Sequence, residues 1–356
     1  VSTDPEHFAA PISHLPSPIS DSSRRAVIDI GTNSVKLLVA DVSAAAIEPV
    51  WEGSEQTRLG RGFYDDHRLR PAAIADTAKA VAGFAETARE QGATQVRVIA
   101  TSAARDAVNA GELLAAVRAA SGQTVEVISG EQEADWAFQG VLTDDSLLGQ
   151  PLLILDVGGG STEFILGDGS RSLFRESFRL GTVRLLEAAR LSDPPTPAEL
   201  SATRAQLRAF LDREVRPQLG PHLQASASVG PTCGRPQLSV QSHETARSAA
   251  LPSSSELLLV GTGGTTSILA RLELQLADYD RDRIEATQFT AERVRWHVGR
   301  LWSLPLAGRR ELPGLPPKRA DVILFGAAIF EAVMESFGLA TLRVSTRGLR
   351  FAAVRP

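Results

Sequence analysis

Cysteine is all but missing from this chain of 356 residues. The single Cys233 cannot close an intramolecular disulfide, and a reducing compartment is the simpler setting. No uninterrupted apolar run approaches the roughly 18 residues of a membrane helix. Residues 1–23, rich in Pro, Ser and His, lack the apolar core of a secretory signal. A positive excess is absent too. With a net charge of −5, no global field gathers nucleic acid, and any polyanion must be met by a local cluster of Arg and Lys. These absences predict a soluble, cytoplasmic protein without a membrane or nucleic-acid partner.

What is present is a core. The hydrophobic fraction of 43% is that of a globular protein, and the length suits two domains. After a leader expected to be disordered (1–24) come strands at 26–30, 35–41 and near 47–51. A helix over 71–91 is predicted from Ile74, Ala78, Val81, Ala85 and Ala88, which repeat at helical spacing. A strand at 96–100, a helix at 108–120, a strand at 125–128 and a helix at 131–142 complete a mixed α/β unit. The pattern then restarts. Asp29, Gly31 and Ser34 match Asp156, Gly158 and Ser161 at a constant offset (156 − 29 = 127), so both halves read strand-Asp-x-Gly-x-x-Ser-strand. Two similar domains facing across a cleft follow, over 25–148 and 149–356. The second has helices at 181–189 and 197–216, a strand at 257–260 and a helix through 276. A helix at 319–337 and a strand at 342–345 close it. Residues 225–255, rich in Ser, Gly and Pro, read as a flexible insertion holding Cys233.

Three turns of small residues each follow an apolar strand: Gly31, Thr32, Asn33 and Ser34; Gly158, Gly159, Gly160 and Ser161; Gly261, Thr262, Gly263 and Gly264. Glycine lets backbone approach an anion, and consecutive N–H groups with hydroxyls form a phosphate-binding concavity. The third turn also opens a helix, whose N-terminus favours negative charge. Singly, each has a purely structural reading as a tight turn. Three together, two of them in matching repeats, favour phosphate. Asp29 and Asp156 end the paired strands, and a carboxylate beside phosphate calls for a cation between them. Their structural alternative is to brace the turn through backbone N–H groups.

Five motifs stand in order: Val27-Ile-Asp-Ile-Gly-Thr-Asn-Ser34, Thr101-Ser-Ala-Ala-Arg-Asp-Ala107, Ser129-Gly-Glu-Gln-Glu-Ala134, Asp156-Val-Gly-Gly-Gly-Ser-Thr-Glu163 and Gly261-Thr-Gly-Gly-Thr265. The ordered set resembles the exopolyphosphatase and guanosine-pentaphosphate phosphohydrolase (Ppx/GppA) family, over residues 26–354. The resemblance implies the two-domain fold of the actin-like ATPase and sugar-kinase (ribonuclease H-like) superfamily. It implies Glu133 as general base, Arg105 and Arg319 as phosphate-gripping arginines, Thr162 with the second turn, and Asp29, Asp156 and Glu163 near the metal. The implied cofactor is Mg²⁺, with K⁺ as a stimulating ion, the substrate inorganic polyphosphate or guanosine pentaphosphate, and the implied assembly a homodimer. Gly348 fits a closing structural motif. From the residues alone, Ser129 and Gln132 form a capping box that sets Glu133 at a helix start, where an acid is ordinarily solvated. Arg105 alone reads equally as an exposed helix-start residue, and strand alternation leaves Glu163 free to face solvent.

Long members of that family carry a C-terminal His-Asp metal-hydrolase domain. None of the six histidines here is followed by Asp, so that domain is not expected and high processivity is in question. An ATP-dependent sugar-type kinase is the competing class, but no acceptor-sugar motif is found. A catalytically silent sensor of polyphosphate or nucleotide is disfavoured by intact Glu133, Asp156, Arg105 and Arg319.

Overall fold

The computed structural model describes residues 22–225 and 257–356. Nearly all of the expected leader, and the expected insertion with Cys233, lie outside the described residues. The chain opens with the hairpin β1 (Ser23–Ile30) and β2 (Val35–Val42), followed by β3 (Ile47–Glu55). Then come α1 (Pro71–Glu90), β4 (Gln95–Ala100), α2 (Ser102–Asp106), α3 (Ala110–Ser121), β5 (Val125–Val127) and α4 (Gly130–Val141). The five strands form one sheet in the order β3-β2-β1-β4-β5, antiparallel through β1 and parallel from β1 to β5. Helix α1 starts on Pro71, whose fixed φ suits a first turn, and buries Ile74, Ala78, Val81, Ala85 and Ala88 as their spacing predicts.

The second half rebuilds that plan. Strands β6 (Leu152–Val157), β7 (Thr162–Gly167) and β8 (Ser172–Phe178) precede α5 (Thr182–Ala188), α6 (Pro197–Phe210) and, through a π turn, α7 (Arg216–Ala225). After residue 257 follow β9 (Leu258–Thr262), α8 (Gly263–Leu274), α9 (Arg281–Glu285), β10 (Gln288–Thr290), α10 (Ala291–Ser303) and α11 (Leu306–Arg310). The chain ends on α12 (Ile323–Phe337), β11 (Thr341–Val344) and α13 (Leu349–Ala353). The sheet order is β10-β11-β9-β6-β7-β8, so β8-β7-β6-β9-β11 repeats β3-β2-β1-β4-β5. The repeat is exact in the hairpins: Gly31 N donates to Ser34 O, and Gly158 N to Ser161 O, each at 3.0 Å. Helix α12 is buried from Ile323 through Met334, because it lies inside the second core rather than on its surface.

Four departures from the sequence expectation have local causes. Strand β1 begins at Ser23, inside the expected leader, where the Arg24 guanidinium grips both Asp41 oxygens at 2.8 Å. The helix expected at 108–120 is α3, starting at Ala110 because Asn109 spends its side chain on Leu69 (Oδ1 accepts from Leu69 N and Nδ2 donates to Leu69 O), and the short α2 before it was not expected. The helix expected from 319 starts at Ile323. Pro316 and Pro317 preset a 3₁₀ turn, Pro317–Arg319, that holds Arg319 outside it. Strand β8, with β10, α9 and α10, was not expected at all.

Each half lends the other a helix. Helix α4 packs Ala134, Ala137, Phe138 and Val141 against Leu152, Ile154, Ile165 and Val260 of the second sheet. Helix α13 packs Leu349, Phe351 and Ala353 against Val27, Leu38 and Ile99 of the first. The two helices cross where Gly140 meets the Gly348 carbonyl, so closely that a Cβ on Gly140 would overlap Gly348 backbone. Both turns of the matched hairpins point into the space between the sheets.

Candidate active site

The cleft between the sheets is floored by the two hairpin turns and walled by the start of α8. Its chemistry begins with what the turns leave unpaired. Among the described residues, the amides of Thr32, Asn33 and Ser34, and of Gly159, Gly160 and Ser161, have no acceptor. The carbonyls of the second turn are taken up: Gly158 O accepts from Thr182 N, Gly159 O from Val183 N and Arg184 N, and Gly160 O from Arg184 Nε. Helix α5 thus fixes the turn by its carbonyls and leaves its N–H groups to an anion. Gly160 has no room for a side chain: a Cβ there would lie 2.6 Å from Ser102 Oγ and 2.8 Å from Thr32 Oγ1 and from Tyr64 Oη. Helix α8 adds a first turn without a side-chain cap, facing the cleft through Gly264 and Thr265.

The third turn does less than its glycines predict. Gly261 and Thr262 belong to β9, and neither lines the cleft. Gly261 is small because Thr266, Phe330 and Leu342 press on it, and Thr262 Oγ1 donates to Arg347 O at 3.2 Å. Gly263, at φ +84°, leaves space for the Asp156 carboxylate, which a Cβ would strike. Only Gly264 reaches the anion space. Thr162 likewise turns away, its Oγ1 donating to Leu180 O at 2.6 Å.

Carboxylates crowd the floor. Asp29, Glu133 and Glu163 are 4%, 7% and 1% exposed, and all three line the cleft with Asp156. Glu133 is therefore not the solvated first-turn acid that its position alone predicts. Ser129 Oγ does cap α4 by accepting from Gln132 N at 3.1 Å, although Gln132 returns no bond and the box is half made. Burial pushes the Glu133 pKa up to about 7, opposed by Arg105 and reinforced by Asp156 and Asp29. Arg105 Nη1 donates to Glu133 Oε2 at 2.9 Å and to Ile128 O at 3.2 Å, so the arginine is partly buried rather than exposed. Glu163 does not face solvent, since β7 is buried on both faces. Burial drives its pKa well up, Glu133 and Asp156 add to this, and Ser177 Oγ donates to it at 2.7 Å. Asp29 and Asp156 are also raised by burial, against the pull of Lys36.

Lys36 escaped the sequence reading. The antiparallel register sets it opposite Asp29, and that register follows from the length of the turn. Its ammonium lines the cleft, where burial lowers its pKa and Asp29 and Asp156 hold it up. Thr101, Ser102, Thr182 and Thr265 line the cleft as well. Arg319 reaches across from the second half: Nη2 donates to Ser34 Oγ at 2.9 Å. Burial lowers its pKa to about 10.

The expected metal set of Asp29, Asp156 and Glu163 does not form a ready three-ligand group. No three His, Cys, Asp or Glu side chains among the described residues are placed to hold an ion. Glu163 is taken by Ser177, and Asp156 packs on Gly263. Asp29 Oδ1, however, is buried without a partner, and four carboxylates with raised pKa values share one cleft. That donor set suits an ion that takes one or two carboxylates and fills its shell with water and phosphate oxygens, as Mg²⁺ does.

The sequence model of the Ppx/GppA phosphatase family matches residues 38–230 and 238–352. A protein of Mycobacterium tuberculosis named exopolyphosphatase 2 is 33% identical over 336 residues, spanning 91% of this chain and 95% of its own. The crystal structure of the Aquifex aeolicus Ppx/GppA family member is 28% identical, with a TM-score of 0.68 over 93% of this chain and 96% of that one. An exopolyphosphatase-like protein of known structure gives a TM-score of 0.77 at 26% identity, over 94% of this chain and 97% of its own.

Proposed function

The chain belongs to the Ppx/GppA phosphatase family, with its two-domain actin-like fold, and on that premise we propose that it is an exopolyphosphatase. In this reading it hydrolyses the terminal phosphoanhydride bond of inorganic polyphosphate and releases orthophosphate. One observation carries the reading most: a buried, arginine-held Glu133 shares its cleft with two matched turns of unpaired amides. A base poised near neutrality, beside donors aimed at one anion, is what hydrolysis of a phosphoanhydride needs.

The terminal phosphoryl group lies between the turns, its oxygens on the amides of Thr32 to Ser34 and Gly159 to Ser161. Arg105 orients Glu133, which accepts a proton from water as the oxygen closes on phosphorus. The P–O bond to the rest of the chain breaks on the opposite side, and Arg319, Lys36 and the α8 N-terminus meet the charge left on the departing phosphate. When bound beside Asp29 and Asp156, Mg²⁺ supplies neutralisation of phosphate oxygens that these carboxylates would otherwise repel.

Phosphate release measured side by side on tripolyphosphate, long polyphosphate and guanosine pentaphosphate tests the assignment. Turnover on polyphosphate above that on guanosine pentaphosphate is expected. Release from the nucleotide alone would move the substrate within the family, and release from none would overturn the hydrolase reading.

A further inference from the structure

We propose that orthophosphate leaves by a second opening, a groove on the Glu133 side of the cleft, while the shortened chain stays on the Arg319 side. This rests on the exopolyphosphatase reading above. The cleft is narrow, about 70 Å³, and an open groove of about 500 Å³ lies beside it, Ser102 and Ser161 lining both. Ser102 follows Thr101 at the start of α2, and Arg105, in the last turn of that short helix, sets its guanidinium on Glu133. The groove therefore begins beside the base. Arg319 and Gly264 line the cleft and not the groove.

In-line displacement then assigns the two sides. Water held by Glu133 attacks one face of the phosphorus, and the leaving phosphate departs from the other. The polymer cannot run along the groove without occupying the place of the attacking water. After inversion the new P–O bond points to Glu133, so orthophosphate is formed at the mouth of the groove, with the remaining chain behind it.

The lining of the groove agrees. Arg105, Arg175 and Arg179 share it with Asp106, Glu131 and Glu176. Arg175 is held by Glu131 at 2.8 Å and lies 3.8 Å from Asp135, and Arg105 lies 3.9 Å from Asp106. Three carboxylates among three arginines make a poor seat for a long polyanion, whose every added phosphate meets repulsion. A single dianion can still be drawn outward by the one uncommitted cation. That cation is Arg179, exposed and without a hydrogen-bond or ion-pair partner among the described residues.

The test uses the full chain and Arg179→Glu, with Arg179→Ala as a milder second variant. Orthophosphate binding is measured by equilibrium dialysis, and orthophosphate inhibition is measured during hydrolysis of long polyphosphate and tripolyphosphate. The expected pattern in the parent is mixed against polyphosphate, because orthophosphate between the turns competes with the chain end whereas orthophosphate held in the groove does not. Arg179→Glu is expected to raise the inhibition constant about tenfold, and Arg179→Ala less, with KM for both substrates little changed. Competitive inhibition that neither variant alters would mean one shared opening and overturn the proposal. A higher KM for the long chain alone would give the groove to the polymer and overturn it equally. Were no polyphosphate hydrolysed, the hydrolase reading itself would fail, and dialysis would still decide the groove: equal orthophosphate binding by parent and Arg179→Glu removes it, and loss in the variant supports it.

Discussion

At the scale of single residues, Glu133 in its proposed role as base answers two opposed demands. Burial makes its carboxylate hard to ionise and so a stronger base, while Arg105 keeps enough of it ionised to act. Its raised pKa means that the active, ionised fraction shrinks as pH falls. The rate should therefore decline on the acid side, through a limb between the ordinary carboxylate range and about 7, since a cation beside Asp29 and Asp156 would pull the value down. A pH profile of kcat/KM checks this, and a rate that climbs toward pH 5 would contradict it. Arg105→Gln removes the counter-charge, so its acid limb should move to higher pH while its turnover falls. An unmoved limb in that variant would mean that the arginine acts on phosphate alone. The glycines divide by similar logic. Gly160 is bare because three hydroxyls converge on it, whereas Gly261 is bare because the core presses on it.

At the scale of elements, the paired hairpins were the most legible part of the chain. A strand, an Asp and a Gly-x-x-Ser turn are local signals, and their repetition at one offset reports the shared architecture of two sheets. Lys36 was legible in principle from the same register. Glu163 was not, because alternation separates core from solvent only in a strand with one wet face, and β7 has none. Nor does any local signal say that α4 covers the second sheet and α13 the first, since an apolar stripe does not name its partner. The crossing of those helices gives a sharp test. Gly140→Ala should gain up to about 1 kcal/mol of helix propensity. It also drives a methyl into the Gly348 carbonyl, and such overpacking costs typically ~1–3 kcal/mol. A lower melting temperature is expected, and an unchanged or higher one would show that the two helices separate easily.

At the scale of the whole molecule, the structure is a closed one. Thr32 of the first turn leaves no room for a Cβ on Gly159 or Gly160 of the second, and Arg319 bonds Ser34 across the gap. Around the rim, Arg58 pairs with Asp321 at 2.8 Å, the Glu187 carboxylate accepts from Gly62 N, and the Arg184 guanidinium stacks 4.1 Å from the Tyr64 ring centre. Arg58 is about a third exposed, and a pair of that kind contributes only ~0–1 kcal/mol. Such rim pairs do little to hold the halves together, and the largely buried pair of Arg281 with Glu52 and the packing of α4 and α13 do more. Four carboxylates line the cleft in which phosphate is proposed to bind, so chelation with EDTA should abolish turnover and Mg²⁺ should restore it. Full activity in chelator would mean that Lys36 and the arginines neutralise the site alone.

Glu133 is the residue proposed to activate the water that takes the terminal phosphate. Glu133→Gln keeps the shape and the bond to Arg105's neighbourhood but removes the basic carboxylate, so the steady-state rate of orthophosphate release from polyphosphate is the measurement that reaches it most directly. A fall in kcat of about 10²-fold or more, with KM for polyphosphate little changed, is the predicted result. Turnover within a few-fold of the parent, at saturating polyphosphate and Mg²⁺, would contradict it.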